Sequence, residues 1–159
     1  MIRLLLTAAL AASAVTISGC SSGESEGAAK SAATGFVAAA RRGNAGEVTF
    51  YRKGGFIGGA LNTSVHVDDI LVADLDPGTY VTVKAAPGRH TVYSDEKDEV
   101  LAVQVEPGKR YYYRVGLVIG MWKGHGKLEQ VDTTIGSQQV AEWKLKLARD
   151  VRQPSMLAR

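Results

Sequence analysis

The stretch DPGTYVTVKAAPGRH (residues 76–90) carries two Pro-Gly pairs ten residues apart, and EPGKR (residues 106–110) repeats the pair. Proline presets φ near −65° for the second position of a turn, and glycine supplies the positive φ that the third position of a type II turn demands. Pro77, Pro87 and Pro107 each stand just before an alternating run that opens at Thr79, His90 or Arg110. The pairs therefore read as strand starts, and as scaffolding rather than as a ligand site.

Outward from this stretch, the chain from Glu47 onward consists of short runs rich in Val, Ile, Thr and Tyr, separated by Gly, Pro and Asp. Turn signals at intervals of roughly ten residues predict an all-β sandwich or barrel. About eight short strands are expected, over Glu47–Arg52, Thr63–Val67, Ile70–Leu75, Thr79–Lys84, His90–Ser94, Val100–Val105, Arg110–Ile119 and Lys127–Val131. Leu101, Val103 and Val105 alternate with Ala102, Gln104 and Glu106, so one face packs and the other meets water. RYYYRVGLVIG (residues 110–120) is apolar on both faces and reads as a central strand covered on both sides. In the tail, Val140, Trp143, Leu147 and Val151 recur at three and four residues, with Ser137 as N-cap and Pro154 beyond the end. That predicts a helix over Gln138–Arg152 within a C-terminal segment 136–159; Trp143, Leu145 and Leu147 also alternate, which leaves a final strand as the alternative.

The start of the chain addresses location. Arg3 precedes an apolar run from Leu4 to Ile17, followed by Ser18, Gly19 and Cys20. This is the layout of a secretory signal, and the run is shorter than the roughly 20 residues of a membrane-spanning helix. Ile17-Ser18-Gly19-Cys20 resembles the bacterial lipobox, which implies removal of residues 1–19 and a diacylglycerol on the Cys20 thiol. Cys20 is the only cysteine, so no intramolecular disulfide competes for it. Two or more acyl chains hold a protein stably on a bilayer, where one holds it only marginally. The absence of Asp at the position after Cys20, where Ser21 stands, implies an outer-membrane anchor facing the periplasm if the host is Gram-negative. Residues 20–46 are Ser, Gly and Ala with a few charges; they lack the large apolar groups of a core and read as a tether to a domain over 47–135.

The formal charge of +3 falls to +2 when residues 1–19 are removed, and basic residues are interspersed with acidic ones. A nucleic-acid partner, which needs a basic stripe, is excluded on that ground. No Gly-x-Ser-x-Gly elbow, His-Glu-x-x-His pair or phosphate-cradling loop is present, so an enzyme is not expected, nor any cofactor beyond the lipid. His66, His90 and His125 lack metal-ligand spacing and read as strand or turn residues, with His90 making a hydrogen bond at its Pro-Gly turn. SDEKDE (residues 94–99) reads as a solvated turn.

Two loops remain as a candidate binding surface. GGFIGGALN (residues 54–62) offers Phe56 and Ile57, and MWKGHGK (residues 121–127) offers Trp122, Lys123, His125 and Lys127. Either they are connections whose apolar residues tuck under the sandwich, or they contact an envelope protein partner, a glycan or a small ligand; Trp is enriched in binding hot spots.

Val67-Asp68, Gly78-Thr79-Tyr80, Pro87-Gly88-Arg89-His90 and Gly108 with Tyr111, Tyr112 and Tyr113 together resemble the domain of unknown function 2846 family of small bacterial lipoproteins. The strand-turn patterning is also similar to PEGA-type surface modules. The resemblance implies a sandwich of immunoglobulin-like or transthyretin-like character in the cell envelope, and no catalytic residues. Asp68-Asp69 departs from the family's Asp-Gly hairpin. Asp tolerates positive φ less well than Gly, which argues for a longer or differently registered turn.

Overall fold

The computed structural model describes residues 44–55, 61–119 and 124–158. The signal segment, Cys20 and the tether up to residue 43 lie outside the described residues, as do Phe56, Ile57, Trp122 and Lys123.

The alternating runs become ten strands: β1 (Gly46–Arg52), β2 (Thr63–Val67), β3 (Ile70–Leu75), β4 (Thr79–Ala85), β5 (Gly88–Tyr93), β6 (Leu101–Val105), β7 (Arg110–Ile119), β8 (Gly124–Val131), β9 (Lys146–Leu147) and β10 (Asp150–Val151). They form two five-stranded sheets, ordered β8-β7-β1-β4-β9 and β10-β3-β2-β5-β6. The fold is an all-β sandwich with one C-terminal helix, α1 (Thr133–Glu142). Most pairings are antiparallel, but β1 runs parallel to β7 and β4 parallel to β9.

The inward faces carry the valines. Val81 and Val83 of β4 and Val48 of β1 meet Val65, Val67 and Val92 of the second sheet in a core that also holds Phe50 and Leu75. Branched side chains suit this surface, because each fills the pleat with little rotamer freedom to lose. Between the sheets, Tyr113 stacks on Phe50 at 5.7 Å, and burial pushes its phenol up to about 12.

All three Pro-Gly pairs lie where the chain leaves one sheet for the other: β3 to β4, β4 to β5 and β6 to β7. Two are type II turns. Gly78 has φ 79° and Thr79 N–H donates to Asp76 O at 3.2 Å; Gly108 has φ 69° and Lys109 N–H donates to Glu106 O at 3.2 Å. The third is not: Gly88, at φ 139°, already belongs to β5, so Pro87-Gly88 is a sharp crossing without a turn hydrogen bond.

Three expectations need correction. The turn at Asp68-Asp69 is a two-residue hairpin with φ 49° and 63°, and Val67 pairs directly with Ile70. The register does shift, further along at Val65/His66, where a bulge turns both Val72 and Ala73 into buried positions. β7 is covered on both sides only in its first half. Tyr113 and Val115 point into the core and Tyr112 lies under α1, but Val118 and Ile119 are 37% and 74% exposed.

The helix, the third correction, starts earlier and stops sooner than Gln138–Arg152. Its N-cap is Asp132, whose carboxylate accepts from Thr134 N–H and Ile135 N–H, while Ser137 sits inside the first turns. Gly136 touches the ring of Tyr112 so closely that a Cβ there would lie 2.4 Å from Tyr112 Cβ. Lys144, at φ 51°, ends the helical path, and the alternating Lys-Leu-Lys-Leu that follows supplies β9.

From there the tail stitches the two sheets together along one side. Lys146 N–H and Ala148 N–H donate to Gly78 O and Tyr80 O beside β4, Arg152 N–H donates to Val72 O of β3, and Ala158 N–H returns to Thr82 O of β4. A short 3-10 turn, Pro154–Met156, drives Met156 into the core at 1% exposure. Truncating such a side chain costs its transfer energy plus that of the cavity left behind. Met156→Ala is expected to lower unfolding free energy by about 2–5 kcal/mol in urea titration, whereas a tail that merely rests on the sandwich would give no measurable change.

Candidate binding surface

The outer face of the first sheet is organised by aromatic side chains. Tyr51 of β1 and Tyr112 of β7 project outward from neighbouring strands with their rings edge-on at 6.5 Å. α1 lies across them: Tyr51 Oη donates to Gln139 Oε1 at 2.7 Å, and Trp143, at the C-terminal end of the helix, packs on Tyr51 with ring centroids 5.9 Å apart. The Lys53 ammonium stands over the Trp143 ring, 5.0 Å from its centroid.

Beyond Trp143 no described residue covers the sheet. A groove of about 380 Å³ opens there, lined by Arg52, Lys53, Arg114, Gly116, Ile119 and Trp143 among others. Arg52 is turned inward at the end of β1 and donates to Leu75 O at 2.9 Å and to Leu61 O; burial pulls its guanidinium below the usual value, with Asp76 and Asp95 working against that. Arg114 is paired with Glu129 of β8 at 2.6 Å.

The described ends of both loops singled out in the sequence, Leu61 and Gly124, meet at this end of the sandwich. A Cβ built on Gly124, which opens β8, would lie 2.9 Å from Leu61 Cδ1, so the end of the 54–62 loop and the end of the β7–β8 hairpin are neighbours. Leu61, Val118 and Ile119 expose apolar surface here. His125 is half-buried opposite Val118, and Lys127 is ion-paired with Glu99 at 3.0 Å, so neither of these two lines the groove. Trp143 and Arg114 were missed as site residues in the sequence. Trp143 there marks only a periodic helix face, and its exposure follows from α1 ending at that residue.

Three polar clusters lock the sandwich. Asp68 Oδ1 accepts from Thr91 N–H at 2.8 Å and from Thr91 Oγ1, and Oδ2 pairs with His90 Nδ1 at 2.5 Å. His90 Nε2 lies 2.8 Å from Ala86 O, at the Pro87 crossing, so the side-chain hydrogen bond expected of His90 is present and ties the hairpin to that crossing. Asp95, within the segment read as a solvated turn, accepts from Ser64 N–H and Oγ at 2.8 Å and from Gly126 N–H at 2.6 Å, joining β2 to β8 across the two sheets. His66 stacks flat on Tyr93 at 4.5 Å, and Tyr93 Oη donates to Asp69, which Lys97 also pairs. Among the described residues, no three His, Cys, Asp or Glu side chains come together as metal ligands.

No protein-family model matches the chain. It is similar to an uncharacterised protein of Haemophilus influenzae, 31% identical over 109 residues, an alignment that covers 67% of this chain and 62% of that protein. The chain thus spans less than two thirds of the relative's length.

The hairpin turn gives one prediction. Asp68 and Asp69 both hold positive φ, where glycine would relieve strain. The hydrogen bonds of Asp68 outweigh that relief, because charge-assisted bonds contribute about 1.5–3 kcal/mol. Asp68→Gly is therefore expected to destabilise the protein in denaturant titration and Asp69→Gly, whose own carboxylate is solvent-exposed, not to. Equal effects at the two positions would contradict the clamp.

A second prediction concerns pH. Burial pushes the His66 imidazole below its ordinary 6.5, Asp95 opposing the shift and Lys97 adding to it; its Nδ1 has no hydrogen-bond partner among the described residues. The unfolded chain then takes up a proton more readily than the folded one, so stability held above pH 6.5 is lost as pH falls below it. The thermal midpoint is expected to fall between about pH 7.5 and 5.5, and His66→Phe, which keeps a ring on Tyr93, to reduce the fall. An unchanged pH slope in that variant would contradict the assignment.

Proposed function

We propose that this protein is a lipid-anchored cell-envelope lipoprotein, of the kind found in the domain of unknown function 2846 family, whose β-sandwich is a non-catalytic module that binds another envelope component. The observation that carries the reading is the sole cysteine, Cys20, placed after Ile17-Ser18-Gly19 and the apolar run from Leu4. In a Gram-negative host, Ser21 directs the anchor to the outer membrane, with the domain in the periplasm. The non-catalytic part of the reading is supported by the lack of nucleophile, metal or phosphate-loop motifs in the sequence.

The fold gives this reading a direction. The tether enters at Gly46, where Gly108 N–H donates to Ala45 O and Glu47 N–H to Lys109 O. The groove sits at the other end of β1, seven residues away at Lys53, a distance of about 23 Å at ~3.3 Å per residue. A domain held by residues 20–46 thus offers its binding end away from its point of attachment.

Metabolic labelling with an alkyne fatty acid, followed by membrane fractionation, tests the anchor. The wild-type chain is expected to carry label and to resist alkaline extraction, and Cys20→Ser to lose the label and shift at least about ten-fold towards the soluble fraction, since one marginal or no acyl chain cannot hold it. A Cys20→Ser protein that stays on the membrane would overturn the reading.

A further inference from the structure

The groove beside Trp143 has a composition that selects a ligand. In β1 and β7 the outward positions follow an alternation that α1 covers only in part: Tyr51 and Tyr112 lie under the helix, and Lys53, Arg114 and Gly116, with the same outward parity, lie beyond it. Among the described residues, two outward cations, Lys53 and Arg114, and no carboxylate line the opening, while Arg52 is turned inward. Gly116 leaves its floor flat; a Cβ there would meet only Lys127 O, at 3.9 Å. Trp143 stands at one side, half-buried and held in place by Tyr51.

Resting on the reading of the domain as a binding module, we propose that this groove binds an acidic sugar: its carboxylate or phosphate draws the Lys53 ammonium off the Trp143 ring towards Arg114, and a pyranose ring takes the place over the indole that Lys53 leaves. Four observations support it. An indole offers an apolar, electron-rich face to the C–H groups of a sugar ring. The Lys53 ammonium covers that indole, 5.0 Å from its centre, on a flexible stem that lets it exchange the ring for a stronger anionic partner beside it. Arg114 spends Nη2 on Glu129, and a guanidinium carries five N–H donors in a fork that suits carboxylate and phosphate. The volume, about 380 Å³, falls within the range of small-ligand sites. Ile119, 74% exposed at the rim, adds apolar surface for the less polar face of a second sugar unit.

Glu129 makes the proposal sharply testable. It is a carboxylate already paired with Arg114, so an acidic ligand has to compete with it, and its removal should favour such a ligand. Titration calorimetry on the full chain in detergent would use digalacturonate, glucose 6-phosphate, the neutral disaccharide chitobiose and inorganic phosphate. Both acidic sugars are expected to bind, with chitobiose and inorganic phosphate at least about ten-fold weaker. Gly116→Leu fills the floor of the groove without backbone strain and is expected to abolish binding while the thermal midpoint is retained; Glu129→Gln is expected to tighten binding about three-fold or more.

Binding of either acidic sugar with this variant pattern supports the site, and the pair of probes shows which anion is preferred. Equal binding of chitobiose, equal binding of inorganic phosphate, full binding by folded Gly116→Leu, or no binding of either acidic sugar would each overturn it. Failure here with Cys20-dependent anchoring intact removes this site alone. Loss of the anchoring result removes the envelope reading, whatever the groove binds.

Discussion

The two sheets can bury their valines only against each other, and that burial requires a chain able to pass repeatedly between layers without leaving backbone groups unpaired inside. Pro77-Gly78 and Pro107-Gly108 satisfy this with type II turns, and Pro87-Gly88 with a tighter crossing. On the side where β4 and β3 would otherwise be free edges, the tail supplies β9 to one sheet and β10 to the other. Unpaired edges invite association with other chains, so the tail both completes the hydrogen bonding and protects it. Met156 anchors the end of the tail by entering the core itself.

Polar side chains then fix what hydrophobic burial leaves undetermined. Burial has no direction of its own, whereas a hydrogen-bonded carboxylate does. Asp68 sets the β2–β3 hairpin against β5, and His90 carries that contact on to the Pro87 crossing through Ala86 O. Asp95 joins β2 to Gly126 of β8, a tie between the two sheets. The groove residues are placed by backbone pairing: Arg114 lies on a paired strand, Lys53 directly follows one, and Trp143 stands between α1 and the first hydrogen bond of the tail at Lys146.

Strands were legible in the sequence because their alternation and their turn residues agree. Thr63–Val67, Ile70–Leu75 and Arg110–Ile119 were read with their observed bounds. Local rules failed where two signals competed. Ser137 and Asp132 are both good N-caps, and Asp132 prevailed because a helix starting there sets Gly136 against Tyr112, which only glycine permits. The Lys-Leu-Lys-Leu run fits both a helix face and a strand, and pairing with β4 decided for the strand. The hairpin at Asp68-Asp69 could not be read from propensity, since its strain is compensated by Thr91 and His90, residues distant in sequence. The groove was illegible for the same reason. Lys53, Arg114 and Trp143 belong to three separate elements, and only the parallel pairing of β1 with β7 and the early end of α1 bring them together.

Hydrogen exchange on the full chain, resolved to single amides, tests the sealed sandwich most directly. Lys146, Ala148, Arg152 and Ala158 donate their amides to Gly78, Tyr80, Val72 and Thr82, so they should exchange as slowly as Val81 and Val83 in the centre of β4 and open only with global unfolding. Fast exchange at these four amides while β4 stays protected would contradict the account, because the tail would then be an appendage and Trp143 would have no fixed place beside the groove.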